Sequence, residues 1–91
     1  MKPYTKRPIT IYAHRLAYED FTDDHPNPNL IKGVTYYPKQ MEAAIPTLEG
    51  TMFARVGDWI VKGIHGELYP VKHEIFMDSY DPALPVDPEF D

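Results

Sequence analysis

The sequence predicts a small α+β domain, either an antiparallel β-meander or a partly open, barrel-like sheet, with one or two short helices. Three apolar runs rich in β-branched and aromatic residues lie between positions 51 and 72, and glycine-containing breaks separate them. That pattern is typical of short antiparallel strands. The ten prolines favour irregular connections over long helices. A chain of 91 residues is long enough for one small core and too short for two.

The overall charge narrows the classes of partner. Nine Lys and Arg against fourteen Asp and Glu leave a net charge of −5. A broad, non-specific nucleic-acid surface depends on clustered cations, so nucleic acid is an unfavoured partner. An acidic protein can instead dock on basic surfaces of other proteins.

Composition also bears on compartment. The absence of cysteine excludes disulfides and thiolate chemistry. No apolar run approaches the roughly 20 residues of a membrane span, and the N-terminus lacks the apolar centre of a signal peptide. We therefore expect a cytoplasmic protein without a membrane partner.

The chain begins with a short basic segment, 1–7, which we expect to be mobile. Residues 8–16, PITIYAHRL, then alternate between apolar and polar side chains. Alternation of this kind predicts a half-buried strand, with Ile9, Ile11 and Ala13 on one side and Thr10, Tyr12 and His14 on the other.

The next stretch carries weaker signals. Residues 18–21 are compatible with one helical turn, 22–29 are rich in turn formers and predict a surface loop, and 34–37 are compatible with a short strand. In 38–45 a proline at the first helical position precedes good helix formers, so a helix ended by Pro46 is predicted. A strand through the end of this segment is the competing prediction.

The densest signals lie between 47 and 80. Alternation at 51–56, β-branched residues at 59–62 and the run 67–72 predict three strands. Gly57 with the following aspartate supplies a tight turn, and the glycine-bounded segment 63–66 has the length of a hairpin loop.

The end of the domain is less sharply defined. Pro70 cannot donate to a strand ladder, so the third strand is predicted to be peripheral or bulged. Residues 73–80 are compatible with a helical turn that brings Phe76 and Tyr80 onto one face, and Tyr80 with Asp81 could equally form a short final strand. We expect the compact domain to span 8–81, and the proline-rich acidic tail 82–91 to have too little apolar area to order itself.

Four motifs together are similar to a widespread family of short phage and prophage proteins. The family pattern reads TLEG, GDWIIKG, GEFYP and K..IF...Y, and it is often preceded by a strand similar to KRPITIYAHRL. The matching segments here are TLEG (47–50), GDWIVKG (57–63), GELYPVK (66–72) and IF followed by Tyr80.

The resemblance covers roughly residues 6–82 and implies a phage-encoded protein in the host cytoplasm; the family has no established activity. Two departures stand out. Val56 takes the place of a common proline, and a second acidic residue near Tyr12 is missing. The absent acidic residue counts against any family activity that depends on it.

Residues that could carry chemistry do not form a recognisable set. The histidines at 14, 25, 65 and 73 are not spaced as a local ligand pair, so no metal is expected. The GxxG motif at 63–66 lacks the flanking helices of a nucleic-acid clamp. No phosphate-binding glycine loop is present, so no cofactor is expected.

Catalytic candidates are equally weak. Ser79 is the only serine and lies outside any nucleophile elbow. Asp58 is explained as a turn residue, whereas Glu67 and Glu74 could form a carboxylate pair only through folding. We therefore predict that the chain is not an enzyme.

One group of residues could form a ligand or partner patch on the hairpin. Trp59 and Tyr69 lie on its two arms and could face each other, either as core or as an exposed aromatic pair beside cations. The full candidate patch is Trp59, Lys62, His65, Tyr69, Lys72 and His73.

Two functions follow from these observations. The first is a small phage-encoded, non-catalytic binding protein that acts on a host protein, as a host-takeover or anti-defence inhibitor, through the sheet edge near Pro70 or through the tail. The second is a binder that sequesters a nucleotide or another phosphate-bearing small molecule. A homodimer through an unpaired sheet edge is compatible with both.

Overall fold

The computed structural model describes residues 1–5, 9–22 and 30–81. It contains six strands, one short 3-10 helix and one α-helix. In chain order these are β1 (Tyr12–Arg15), the 3-10 helix (Tyr18–Phe21), β2 (Thr35–Tyr37), β3 (Glu42–Thr47), β4 (Gly50–Arg55), β5 (Trp59–Lys62), β6 (Leu68–Val71) and α1 (His73–Ser79).

The strands form two three-stranded antiparallel sheets. The first sheet has the order β1-β5-β6, and the second has the order β2-β3-β4. The prediction of a small, mainly antiparallel fold with short helices is confirmed, and the described strands do not close into a barrel. The predicted tail, and all of the predicted loop except Thr22, lie outside the described residues.

The predicted continuous meander is wrong at one place, because β4 and β5 belong to different sheets. The turn between them is bound to the end of β1. Gly57 N donates to Leu16 O, and Leu16 N donates to Asp58 O, each at 2.8 Å. Gly57 adopts a positive φ of 95°, which lets the chain turn sharply there. These bonds direct β5 onto β1 instead of back along β4.

The predicted helix over 38–45 is also wrong. Pro38 does begin a helix-like turn, since Met41 N donates to Pro38 O at 3.2 Å. Met41 then takes a positive φ of 55°, which ends the turn after one cycle. The chain then enters β3, where Ala43 is fully buried between the sheets and Ala44 lies on the opposite face of the strand.

Two prolines lie in strands without disrupting the ladders. Pro46 of β3 pairs with Thr51 of β4 but lies beyond Ala44, the last β3 residue that pairs with β2. In the first sheet, β6 is an edge strand, as predicted for Pro70. Gly63 N donates to Glu67 O at 2.8 Å, and alternation from that bond places the Pro70 nitrogen on the free edge.

Both faces of β1 lie beside buried residues of β5. Residues paired directly across a ladder share a face, so His14 lies on the same side as Ile60 and Ala13 on the same side as Val61, and both partners are buried. Ile11 and His14 are half-buried, whereas Ile9 and Ala13 are exposed. The alternation thus indicates a strand here but does not identify a single buried side.

The main core lies between the two sheets, where β6 packs against β3 and β4. Its side chains come from both sheets and from the segment that contains the 3-10 helix. The fully buried apolar members are Leu16, Phe21, Ala43, Ile45, Ala54 and Ile60.

The helix α1 covers the other side of the first sheet, which we call its outer face. Phe76 of α1 stacks on Trp59 of β5, and Val61 is fully buried on the same face. The helical turn predicted within 73–80 is confirmed, and Tyr80 and Asp81 do not form a strand. The fold thus has three layers in the order helix, first sheet, second sheet.

Candidate functional site

The residues of the predicted patch lie at four separate places in the structure. Trp59 and Tyr69 lie on the outer face of the first sheet, and His73 reaches the same face from α1. Lys62 lies on the opposite, inner face, because it pairs directly with Tyr12 and alternates with Val61. His65 lies exposed in the loop between β5 and β6. Lys72, the residue before α1, points to Asp58.

Trp59 and Tyr69 are neighbours on one face but do not pair directly. Trp59 lies opposite Val71, and Tyr69 lies opposite Val61, so the two aromatic residues occupy diagonal positions. This register follows from the loop closed by Gly63 and Glu67.

An aromatic cluster joins α1 to the first sheet. The rings of Trp59 and Phe76 stack in parallel with their centroids 3.8 Å apart. The ring centroids of Phe76 and Tyr80 are 4.9 Å apart. The hydroxyl oxygens of Tyr69 and Tyr80 lie 3.5 Å apart. Each aromatic contact of this kind contributes about 0.5–1.5 kcal/mol beyond the area that it buries. The cluster thus stabilises the helix on the sheet.

The polar atom of Trp59 is already paired. Its Nε1–H donates to His73 Nδ1 at 3.1 Å, and the two rings are nearly parallel at 8°. Because Nδ1 accepts this bond, neutral His73 carries its proton on Nε2. Neither the indole N–H nor the indole face beneath Phe76 is open to a ligand.

The two tyrosine hydroxyls that the fold perturbs are both held in their protonated form. Burial, aided by the Tyr80 hydroxyl, raises the pKa of Tyr69 to about 12. Burial also raises the pKa of Tyr36, and the charge of Asp20 adds to that effect, whereas the Ile31 N–H opposes it. Neither hydroxyl is thereby activated as a nucleophile.

Asp58 ties together the β4–β5 turn and the start of α1. Its carboxylate accepts hydrogen bonds from Arg55 N at 2.9 Å and from Lys72 Nζ at 3.1 Å. The Asp58 side chain is 12% exposed and the Lys72 side chain 63%. Asp58 thus stabilises the turn, as predicted, and its carboxylate also binds Lys72, the residue before α1.

The sequence did not reveal a partly buried histidine–carboxylate pair. His14 Nε2 lies 2.9 Å from Asp20 Oδ2, and the same oxygen accepts the Ala17 N–H at 2.7 Å. The Asp20 side chain is 3% exposed and the His14 side chain 33%. The two partners are six positions apart in the chain, and no motif marks them. Only the turn made by the 3-10 helix brings them together.

The inner face of the first sheet borders a cleft of about 170 Å³, which we call the inner cleft. Strands β1, β5 and β6 and the segment before β2 supply its walls. Its principal lining residues are Tyr12, His14, Ile31, Ile60, Lys62 and Leu68.

The outer face of the second sheet exposes two large aromatic side chains. Tyr37 and Phe53 are 44% and 57% exposed. Register places them on one face with Ala44, and an ion pair between Glu42 and Arg55, at 2.8 Å, lies on the same side. We call this surface the Phe53 face; its members are Thr35, Tyr37, Glu42, Ala44, Pro46, Thr51, Phe53 and Arg55.

Within the described ranges, no group of three or more His, Asp and Glu side chains is arranged to hold a metal ion. His25 lies outside those ranges. None of the described helices combines the length and apolar character that crossing a membrane requires.

Comparison with protein-family models, with curated protein sequences and with solved structures found no match. The resemblance to phage proteins stays a prediction from the sequence motifs.

Proposed function

We propose that the chain is a small, non-catalytic binding protein that docks on another protein through the Phe53 face. The observation that carries this proposal is the combination of two large aromatic side chains, both open to solvent, on one face of an ordered sheet. Contiguous exposed apolar surface with a polar border is a feature of protein-binding sites.

The composition of the face supports docking. Aromatic residues and arginine are enriched at protein interfaces, and here Phe53 lies on the same face and strand as Arg55, with Tyr37 on the far edge strand. A partner that covers Phe53 would bury a ring capable of acting as an anchor. The Glu42–Arg55 ion pair, in the same cross-strand row as Tyr37, would supply polar contacts within the interface.

The phage resemblance gives the proposed partner its class, a host protein. The TLEG motif forms the hairpin between β3 and β4, and its Leu48 is 91% exposed at the tip. An apolar side chain displayed in this way extends the exposed apolar surface of the second sheet. Host takeover or interference with host defence is the corresponding biological role.

The test is affinity capture from host lysate with matched surface variants. Phe53→Thr removes the ring and keeps a residue that favours strands. Met77→Gln is the control, because Met77 is 58% exposed, as Phe53 is 57% exposed, but lies on α1. We expect the wild type and Met77→Gln to capture the same protein and Phe53→Thr to lose it. Capture of no specific protein, or equal capture by all three, would contradict the proposal.

A nucleotide or another phosphate-bearing small molecule is the second candidate ligand. One observation favours a small anion: within the described residues Lys62 forms no ion pair, and it lies at the inner cleft, although the cleft volume of about 170 Å³ is below the roughly 300–1,000 Å³ of nucleotide sites. A nucleotide at 100 times its dissociation constant should add about 2.7 kcal/mol to the free energy of unfolding. A thermal-shift screen against nucleotides tests this candidate, and no shift with any nucleotide would remove it.

A further inference from the structure

The lining of the inner cleft is almost entirely apolar, and the hydrocarbon stem of Lys62 forms part of it. Ile60 is fully buried, and Ile31 and Leu68 are partly buried where they pack on the core. Lys62, from the same strand as Ile60, is exposed beside Tyr12. One side of the cleft therefore suits hydrocarbon, and its rim suits an anion.

We propose that the inner cleft binds a small organic carboxylate with a compact apolar body. The carboxylate contacts Lys62 Nζ, and the apolar body lies against Ile31, Ile60 and Leu68. This site is independent of the Phe53 face, which lies on the outer side of the second sheet.

The size of the cleft limits the ligand. Sites for nucleotides and drug-sized molecules enclose roughly 300–1,000 Å³. The inner cleft measures about 170 Å³, which suits one ring or a short branched chain. A complete nucleotide would extend far outside it.

Charge separates carboxylates from phosphates. A carboxylate carries one negative charge, which the one ammonium group of Lys62 can neutralise. A phosphate monoester carries about −1.5 to −2 at neutral pH, and its surplus charge would lie beside apolar walls. The cleft therefore favours a carboxylate with an apolar body over a phosphate.

The His14–Asp20 pair preforms one wall. Asp20 is fixed by the Ala17 N–H at 2.7 Å, and it holds the His14 ring through Nε2 at 2.9 Å. His14 lines the cleft, so its ring does not need to reorient when a ligand enters. Binding should leave the backbone of the 3-10 helix in place.

The experiment is a titration of the full chain followed by amide NMR shifts, with benzoate as the probe. Benzyl alcohol keeps the ring and removes the charge, and acetate keeps the charge and removes the ring. Inorganic phosphate and adenosine monophosphate test the phosphate classes. We expect saturable shifts near Tyr12, Lys62 and Leu68 with benzoate, and at least tenfold weaker binding of the other four compounds.

Two variants test whether the Lys62 ammonium group binds the carboxylate. Lys62→Met keeps most of the side-chain length at an exposed position and should weaken benzoate binding about tenfold. Lys39→Met removes an exposed cation from the turn before β3 and should leave binding unchanged.

Four results would overturn the proposal. These are equal affinity of Lys62→Met and the wild type, equal binding of benzyl alcohol, tighter binding of either phosphate compound, and the absence of saturable shifts near the cleft. Loss of a protein partner in Phe53→Thr would not affect any of them.

Discussion

At the scale of single residues, the Tyr69 hydroxyl is the group whose ionisation the fold changes most clearly. Burial and the Tyr80 hydroxyl raise its pKa from 10.0 to about 12. The folded chain therefore holds this proton more tightly than the unfolded chain does. The resulting stabilisation is fully present below pH 10 and is lost as the pH rises through about 12.

Alkaline titration tests this linkage. We expect the ultraviolet absorbance of wild-type tyrosinates to include a late step near pH 12 that Tyr69→Phe lacks. The free energy of unfolding should also fall less steeply with pH in Tyr69→Phe above pH 10, because the variant has no such proton to lose. Tyr18→Phe, at an exposed position, is the control and should keep the late step. If Tyr69→Phe kept the late absorbance step, another tyrosine would be responsible for it.

At the scale of elements, connections between strands determine the fold as much as the strands do. Gly57 and Asp58 bind Leu16 and send the chain from the second sheet to the first. The Asp58 carboxylate of the same turn also binds Lys72, which precedes α1. One short turn thus fixes the relative positions of β1, β4, β5 and the helix.

The two sides of the Asp58–Lys72 ion pair should contribute unequally to stability. Asp58 is largely buried, and Asp58→Ala leaves the Arg55 backbone N–H without its acceptor. We expect the free energy of unfolding to fall by about 1–3 kcal/mol. Lys72→Met removes only a largely exposed partner, so we expect a loss of about 0–1 kcal/mol. Urea unfolding measures both values. Equal losses would mean that the ion pair, and not the backbone bond, is the main contribution of Asp58.

Several elements could be predicted because their signals are local. The alternation at Met52 and Ala54 identifies the inner side of β4, and the glycines at 63 and 66 locate the hairpin. The segment before Pro46 could not be assigned in this way. Its residues are good helix formers, but the strand is selected by pairing with β2 on one side and β4 on the other, which helix propensity does not report.

The candidate site was harder to predict than the strands. Trp59 and Lys62 are three residues apart on β5, and side chains three apart in a strand point to opposite faces. That signal was present in the sequence once the strand was recognised. His14 and Asp20, in contrast, meet through a turn whose geometry no local pattern specifies.

At the scale of the whole molecule, the three layers differ in how strongly they are held. The two sheets share a core of fully buried aliphatic side chains. The helix α1 has seven residues, none of them fully buried, and isolated helices shorter than about 12–15 residues are marginal in water. Its stability therefore depends on the aromatic cluster with Trp59. The helical layer should open before the sheets do.

Phe76→Ala tests the independence of the helical layer. The substitution removes the ring stacked 3.8 Å from Trp59, so α1 should lose its anchor while the core between the sheets keeps its contacts. We expect faster hydrogen exchange of the α1 amides and a red-shifted emission of Trp59, the only tryptophan, with protection in β3 and β5 retained. Met77→Ala, on the exposed side of α1, should change neither signal. Loss of protection in β3 together with α1 would show instead that helix and sheets unfold as one unit, because the aromatic cluster would then be part of a single cooperative core.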